Sequence, residues 1–284
     1  MSAWENYADR ASRHTVVGEL LRWPGFHSPQ LNNQRDVLVW LPASYRSSQR
    51  RYPVLYMHDG QNLFDAETSY VGEWQVDETL LRLGAEGREA IIVGLPNQGD
   101  DRVYEYDPYP PDIFVPEGGR GDRYLDFLIE TVKPLIDGSF RTLPDQPHTG
   151  IAGSSMGGLI SLYALLTRPE VFSFCGAFSP AFWFGSFGLE STIAERARGE
   201  GRLYMDVGGR EGHVFMGRPG LWTGSEAEAD ATYLDGVRRL RTGLLAAGYR
   251  EPDTLLYIEE AEVLHREDAW ARRLPDALRY LLPG

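Results

Sequence analysis

Seven short apolar runs alternate along the chain with longer segments in which apolar residues recur every three to four positions. The runs occupy 35–42 (RDVLVWLP), 52–60 (YPVLYMHDG), 89–96 (EAIIVGLP), 148–155 (HTGIAGSS), 171–180 (VFSFCGAFSP), 202–209 (RLYMDVGG) and 253–262 (DTLLYIEEAE). Their length and near-continuous apolar character predict strands covered on both faces. Helical spacing predicts helices over 77–87, 123–136, 156–168, 231–248 and 266–282. Such an alternation gives the α/β class, with a mostly parallel central sheet and helices on both faces. Residues 16–42 differ: two strand-like halves flank a turn-rich middle, which predicts an N-terminal antiparallel hairpin.

Two stretches fit neither period. Residues 97–120 and 212–228 are rich in Gly, Pro and aromatics, and structureless segments of this length usually cover a functional site. No repeat or shift in composition divides the chain. One domain over 1–284 is expected, with 1–14 as a flexible N-terminus.

Charge and composition narrow the function. Lys and Arg total 28 against 41 Asp and Glu, a net charge of −13, which disfavours nucleic acid and other polyanions as partners. Lys133 is the only lysine, so Schiff-base, phosphate-loop and Ser–Lys chemistry would all have to use it. In its helix-like context its charged head is expected to be solvated. The single cysteine, Cys175, lies in an apolar run and reads as a small buried hydrophobe. The N-terminus lacks a basic segment followed by an apolar one, and no apolar run reaches membrane-spanning length. A cytoplasmic protein with no membrane partner, a monomer or small homo-oligomer, is the expectation.

The chemistry-bearing pattern is G-S-S-M-G, Gly153 to Gly157, between an apolar strand and a helical segment. A strand–turn–helix with small residues on both sides lifts the Ser155 hydroxyl above the sheet as a nucleophile. The competing reading is a serine that only caps the helix, a role that Ser154 could also fill. A nucleophile needs a base beyond it in the chain. His265 lies just past the last strand, at the carboxyl edge where open α/β sheets bind ligands, and His213 is the runner-up. The acid that orients the imidazole is expected after 202–209: Glu211 first, then Asp206, Asp230 or Asp235. The backbone N–H groups of Gln61 and Met156 are the candidate oxyanion donors. His58 and Asp59 lack a second ligand cluster at metal spacing, and the glycines fit neither dinucleotide nor phosphate-loop patterns, so no metal or cofactor is expected. Arg102 and Arg210 could hold an acidic ester group; pairing with nearby carboxylates is the favoured reading.

Together YPVLYMHDGQNLFD, EWQVDETL, RVYEY, GSSMGG, AFSPAFWF, DVGGREG and LHREDAWARRLPDAL resemble the putative-esterase branch of the α/β-hydrolase superfamily, with esterase D, feruloyl, acetyl-xylan and enterochelin esterases and mycolyl transferases. The resemblance runs from about residue 15 to the C-terminus. It implies an α/β-hydrolase fold with Ser155 as nucleophile, His265 as base, Glu211 as acid, and backbone oxyanion donors at Gln61 and Met156. It also implies that Trp74, Phe182 and Trp183 line the substrate pocket. The chain departs from compact members in its longer Glu211–His265 segment, which suggests a locally built lid. The reading is a serine hydrolase cleaving small-molecule carboxylic esters through an acyl-enzyme. Its rivals are an acyltransferase using the same residues and a hydrolase-fold binding protein with degraded chemistry.

Overall fold

In the computed structural model, which describes residues 4–10, 13–216 and 222–283, the apolar runs form one nine-stranded sheet. Its strands are β1 (Glu5–Asn6), β2 (Glu19–Ser28), β3 (Asn33–Leu41), β4 (Val54–His58), β5 (Ile91–Leu95), β6 (Thr149–Ser154), β7 (Phe174–Phe178), β8 (Arg202–Arg210) and β9 (Leu255–Leu264). Their spatial order is β1-β2-β3-β5-β4-β6-β7-β8-β9. The first four in that order pair antiparallel, and the pairs from β5 to β9 are parallel. The predicted hairpin is β2–β3, with a register shift between Trp23 and Phe26. Pro24 and Gly25 fall there, and Gly25 takes a positive φ of 56°.

The helices are α1 (Val76–Gly84), α2 (Arg102–Tyr106), α3 (Gly121–Asp126), α4 (Lys133–Ser139), α5 (Met156–Thr167), α6 (Phe184–Arg196), α7 (His213–Met216), α8 (Glu226–Ala246) and α9 (Glu267–Leu281). Strand side chains alternate between two cores. Val54, Tyr56, Ile91, Val93, Cys175 and Ala177 pack with α5 and α8 on one face. Leu55, Met57, Ile92, Phe174 and Phe178 pack with α1 and α9 on the other. This period-2 alternation with both faces covered explains why the strands read as unbroken apolar runs.

Several expectations need correction. The helix predicted over 123–136 is α3 and α4 joined by a π-helical turn at Phe127–Val132. Pro134, just beyond it, has no N–H for the helical ladder and crowds the carbonyl four residues back. The stretch 97–120 is not structureless: it holds a 3₁₀ turn at Gly99–Asp101 and α2. Within 212–228 lie α7 and the first turn of α8, which Ser225 and Glu228 close with reciprocal hydrogen bonds; residues 217–221 fall outside the described residues. Helix α6 carried no periodic signal because Gly185, Ser186 and Phe187 take positive φ inside it. The described part of 1–14 is docked: β1 pairs with β2, and buried Tyr7 donates to Asp65 at 2.9 Å. Lys133 Nζ is held 2.7 Å from both Asp137 Oδ2 and Pro144 O, so its head is paired and largely covered.

At the start of α1, Glu73, Asp77 and Glu78 bring carboxylate oxygens within 4.8 Å of one another. Asp77 is buried and accepts from Val17 N at 2.7 Å. Burial pushes the Asp77 carboxyl up to about 8, with Glu78 adding to the shift, and pushes Glu73 up to about 7. A carboxyl whose folded-state pKa is raised holds its proton more tightly than the unfolded chain does. Its stability contribution is therefore complete below the unfolded value, near pH 4, and is lost as pH rises toward 8. Stability is expected to fall across that window, and Asp77→Asn, which keeps an acceptor for Val17 N, is expected to flatten the fall. Urea midpoints at pH 5, 6.5 and 8 for both proteins check it; parallel curves would refute the assignment.

Candidate active site

Parallel strands share one carboxyl edge, and that edge collects the chemistry. Asp59 and Gln61 follow β4, Asn97 follows β5, Ser155 follows β6, Ser179 follows β7, Glu211 follows β8 and His265 follows β9.

Ser155 sits between β6 and α5 with φ 56° and ψ −119°, a conformation that a non-glycine residue adopts only under constraint. The constraint is visible. Ser155 N donates to Phe178 O at 2.9 Å, and Ser155 O accepts from Ala181 N at 3.0 Å. The flanking glycines are a packing requirement: a Cβ on Gly153 would lie 2.9 Å from the Gly157 carbonyl carbon and from His58 Cδ2. Although Ser155 occupies the N-cap position, its hydroxyl makes no capping bond. The helix-cap reading therefore does not hold, and the hydroxyl faces a cavity of about 690 Å³.

His265 lines the same cavity. Its Nδ1 lies 2.9 Å from Glu211 Oε2, and its ring stands edge-on to Trp270 at 4.9 Å and to Tyr233 at 5.5 Å. A carboxylate only accepts, so Nδ1 carries a proton, and Nε2 is the ring nitrogen not engaged by Glu211. Glu211 is fully buried. Its other oxygen accepts from Gly208 N at 2.6 Å and Ser179 Oγ at 2.7 Å, and Arg273 lies 3.9 Å away. The Gly-Gly pair in DVGGREG has a physical cause: a Cβ on Gly208 would meet Val263 O at 2.3 Å, and one on Gly209 would meet Ala261 O at 2.2 Å. Here β8 and β9 shift register, which brings the Glu211 and His265 loops together.

The other candidates go elsewhere. Asp206 is buried in β8, accepts from Ser179 N at 3.0 Å and Tyr204 OH at 2.8 Å, and forms a 3.1 Å ion pair with Arg273 Nε rather than an aligned hydrogen bond. Burial pushes its carboxyl up to about 6 against the pull of Arg273, with Glu211 adding to the rise. Asp230 accepts from Gly212 N, and Asp235 pairs with Arg238. His213 is exposed, 6.4 Å ring to ring from His265. Buried His58 packs beneath the Ser155 turn and bonds Tyr124 OH at 2.8 Å; desolvation drives its pKa down to about 3, so it is neutral.

Met156 opens α5, and Gln61 lies in the 3₁₀ turn Gly60–Asn62 ahead of its first internal bond, so neither N–H has an acceptor within its own helix. The aromatic expectation is corrected. Trp74, Phe182 and Trp183 lie outside the cavity wall. Trp74 packs on Phe178 at 5.0 Å, Phe182 on Tyr233 at 5.6 Å, and Trp183 on Phe215 at 4.9 Å. The wall's aromatics are Tyr70 and Trp270. Sequence reasoning also missed Asp59 as a wall residue. It takes the left-handed conformation, clamps Arg102 through two 2.7 Å bonds, and accepts from Asn97 Nδ2. Burial alone would raise the Asp59 pKa, but Arg102 and Asn97 hold it below the usual range. Arg210 meets Glu226 at 3.3 Å in an exposed pair. Among the described residues, the Glu73–Asp77–Glu78 group at α1 is the only His/Cys/Asp/Glu cluster close enough to hold a metal, and none of it lines the cavity.

The sequence profile of the family described as putative esterase matches residues 28–281. The chain belongs to the putative esterase family. The fold agrees with that membership in the α/β-hydrolase superfamily. The crystal structure described as BES protein from Bacillus cereus superposes with a TM-score of 0.72 at 20% identity, covering 96% of this chain and 98% of that one. An esterase of Mycobacterium tuberculosis is 31% identical over 258 residues, 89% of this chain and 51% of its own length. The siderophore triacetylfusarinine C esterase of Aspergillus fumigatus is 33% identical over 138 residues, 47% of this chain and 46% of its own. The chain thus spans about half the length of both these curated relatives.

Arg273 is the single cation between two buried carboxylates in this esterase. Arg273→Met is expected to destabilise by about 3–5 kcal/mol, and Ser179→Ala by about 1–3 kcal/mol through the donor lost from Glu211. Urea unfolding at pH 7.5 measures both, and an Arg273→Met protein as stable as wild type would refute the assigned role.

Proposed function

We propose that this chain hydrolyses carboxylic esters through an acyl-enzyme on Ser155, with His265 as general base and acid and Glu211 as its orienting carboxylate. The observation that carries the reading is the 2.9 Å Nδ1–Oε2 contact of His265 with a fully buried Glu211, beside an uncapped Ser155 hydroxyl in the same cavity. Nε2 of His265 takes the proton as Ser155 Oγ attacks the ester carbonyl. The negative charge moves onto the carbonyl oxygen, where the N–H groups of Met156 and Gln61 receive it; one such donor is worth roughly 3–4 kcal/mol in the transition state. Collapse breaks the ester C–O bond, and the departing alkoxide takes the proton from Nε2. Water then gives a proton to Nε2 and attacks the acyl carbon. A second collapse returns the proton to Ser155 and frees the acid.

Glu211 accepts Nδ1–H and offsets the imidazolium charge as it develops, without taking the proton itself. Ser155→Ala and His265→Ala are each expected to lower kcat for a p-nitrophenyl ester by about 10⁴-fold or more. Glu211→Gln is expected to lower it by roughly 10²–10⁴-fold with little change in KM. A fluorophosphonate is expected to label wild type at Ser155 and to leave Ser155→Ala unlabelled. Turnover that survives Ser155→Ala would refute the mechanism.

A further inference from the structure

Besides His265 the cavity wall carries three carboxyls, Asp59, Asp100 and Glu267, and one guanidinium, Arg102. Arg102 is the one cation among them, and its binding fork is occupied. Nε and one terminal nitrogen each lie 2.7 Å from the two oxygens of Asp59. Asn97 adds a third bond to that carboxylate at 2.7 Å, and the guanidinium sits 5.1 Å from the Tyr106 ring centroid. A bidentate pair held on both sides in this way is a closed unit. An anionic substrate could claim this Nε–Nη2 edge of Arg102 only by displacing Asp59 and leaving that carboxylate uncompensated, which leaves Nη1 as the part of the guanidinium outside the pair.

The remaining two acids have no such partner. Among the described residues, no arginine, lysine or histidine nitrogen lies within 4.0 Å of an oxygen of Asp100 or Glu267. Asp100 is exposed in the 3₁₀ turn after β5, and Glu267 is mostly covered at the start of α9. With Asp59 and Arg102 paired, Asp100 and Glu267 are the wall's carboxyls in excess; burial raises the Glu267 pKa while His265 and Arg102 draw it back down, and the chain's overall charge is already −13. The same wall carries π faces and apolar surface: Tyr70, 87% exposed, Val71, 57% exposed, and the Trp270 ring beside His265. Carboxylates next to aromatic faces suit an ammonium or an uncharged group and repel a second carboxylate or a phosphate.

We infer that this site sorts esters by charge, admitting neutral and cationic esters and rejecting those that bear a carboxylate or phosphate, with Asp100 and Glu267 setting the preference. The inference rests on the esterase reading above and adds the substrate class to it. It also separates this cavity from one built to grip a polyanionic ligand, which would present free guanidinium forks.

The test compares three butyrate esters of similar size: those of choline, of 3,3-dimethylbutanol and of 3-hydroxypropanoate, followed by acid release at low ionic strength. Hydrolysis of the neutral ester, lost in Ser155→Ala, is read first and judges the esterase reading by itself. The carboxylate ester is then expected to have kcat/KM about tenfold below the neutral one, and the choline ester to equal or exceed it. That is the size expected for one or two unit charges acting across a partly solvated cavity. Added salt is expected to narrow the gap, and the double variant Asp100→Asn/Glu267→Gln to shrink the neutral-to-carboxylate ratio several-fold. A carboxylate ester that equals or outruns the neutral one, or a ratio unmoved in the double variant, overturns the proposal. If none of the esters turns over, calorimetric titration with phenyltrimethylammonium and with phenylacetate still decides: binding of the anion in preference to the cation overturns it.

Discussion

The turn at Ser155 is the constraint around which the carboxyl edge of the sheet is arranged. A positive φ at a non-glycine residue costs of order 1–3 kcal/mol and persists only where the surroundings leave no alternative. Here the backbone is pinned on both sides by the segment after β7, through Phe178 O and Ala181 N. Gly153, Gly157 and the neutral ring of His58 fill the space below so closely that a single added carbon would collide. Because β6 lies mid-sheet between β4 and β7, any relaxation of the turn must move strands packed on both faces. The sheet thereby holds a local strain in place and presents the serine at its carboxyl edge.

A second constraint is electrostatic and follows from the first. The β7 segment that pins Ser155 continues into Ser179, itself at positive φ. Its N–H serves Asp206, its hydroxyl serves Glu211, and the indole of Trp270 donates to that same hydroxyl at 3.0 Å. Two buried acids thus share one serine and one arginine. Two carboxylates against one guanidinium leave an excess of negative charge in a water-poor volume, which is costly at rest and is offset when a positive charge is placed against it. The proposed reaction creates that charge on His265. Asp206, raised to about 6 by burial, is part of this environment although it is not the partner of the histidine.

The parts of this arrangement that were legible in the sequence are those with a local signature. Continuous apolar runs marked β3 to β8 because both faces are buried there, and a shorter apolar start marked β9 at the sheet edge. The Gly-x-Ser-x-Gly spacing and the position of His265 past β9 marked the turn and the histidine that meets Glu211, and Gly208–Gly209 marked the bend that delivers Glu211. What was not legible depends on tertiary packing. Trp74, Phe182 and Trp183 look alike in sequence whether they face a cavity or a core, and only the packing shows them in the core. Helix α6 was hidden by left-handed residues in its first turn, and Arg273 reads as one more arginine on an amphipathic helix until its burial beside Asp206 is seen. Asp59 gave no sign that it would turn left-handed and claim Arg102.

That last pairing changes what family membership implies. Members of one fold family share the strands, the turn and the histidine loop because these are held by the sheet, whereas wall residues are set by loops that vary freely. The stretch after β5 supplies Asn97, Asp100 and Arg102, and the turn after β4 supplies Asp59 and Gln61. Chemistry and selectivity thus come from different parts of the chain. The strand edges fix where an ester carbonyl can react. On the proposed preference, the loops after β4 and β5 and the start of α9 set which ester reaches it, and Arg102 there is paired with Asp59.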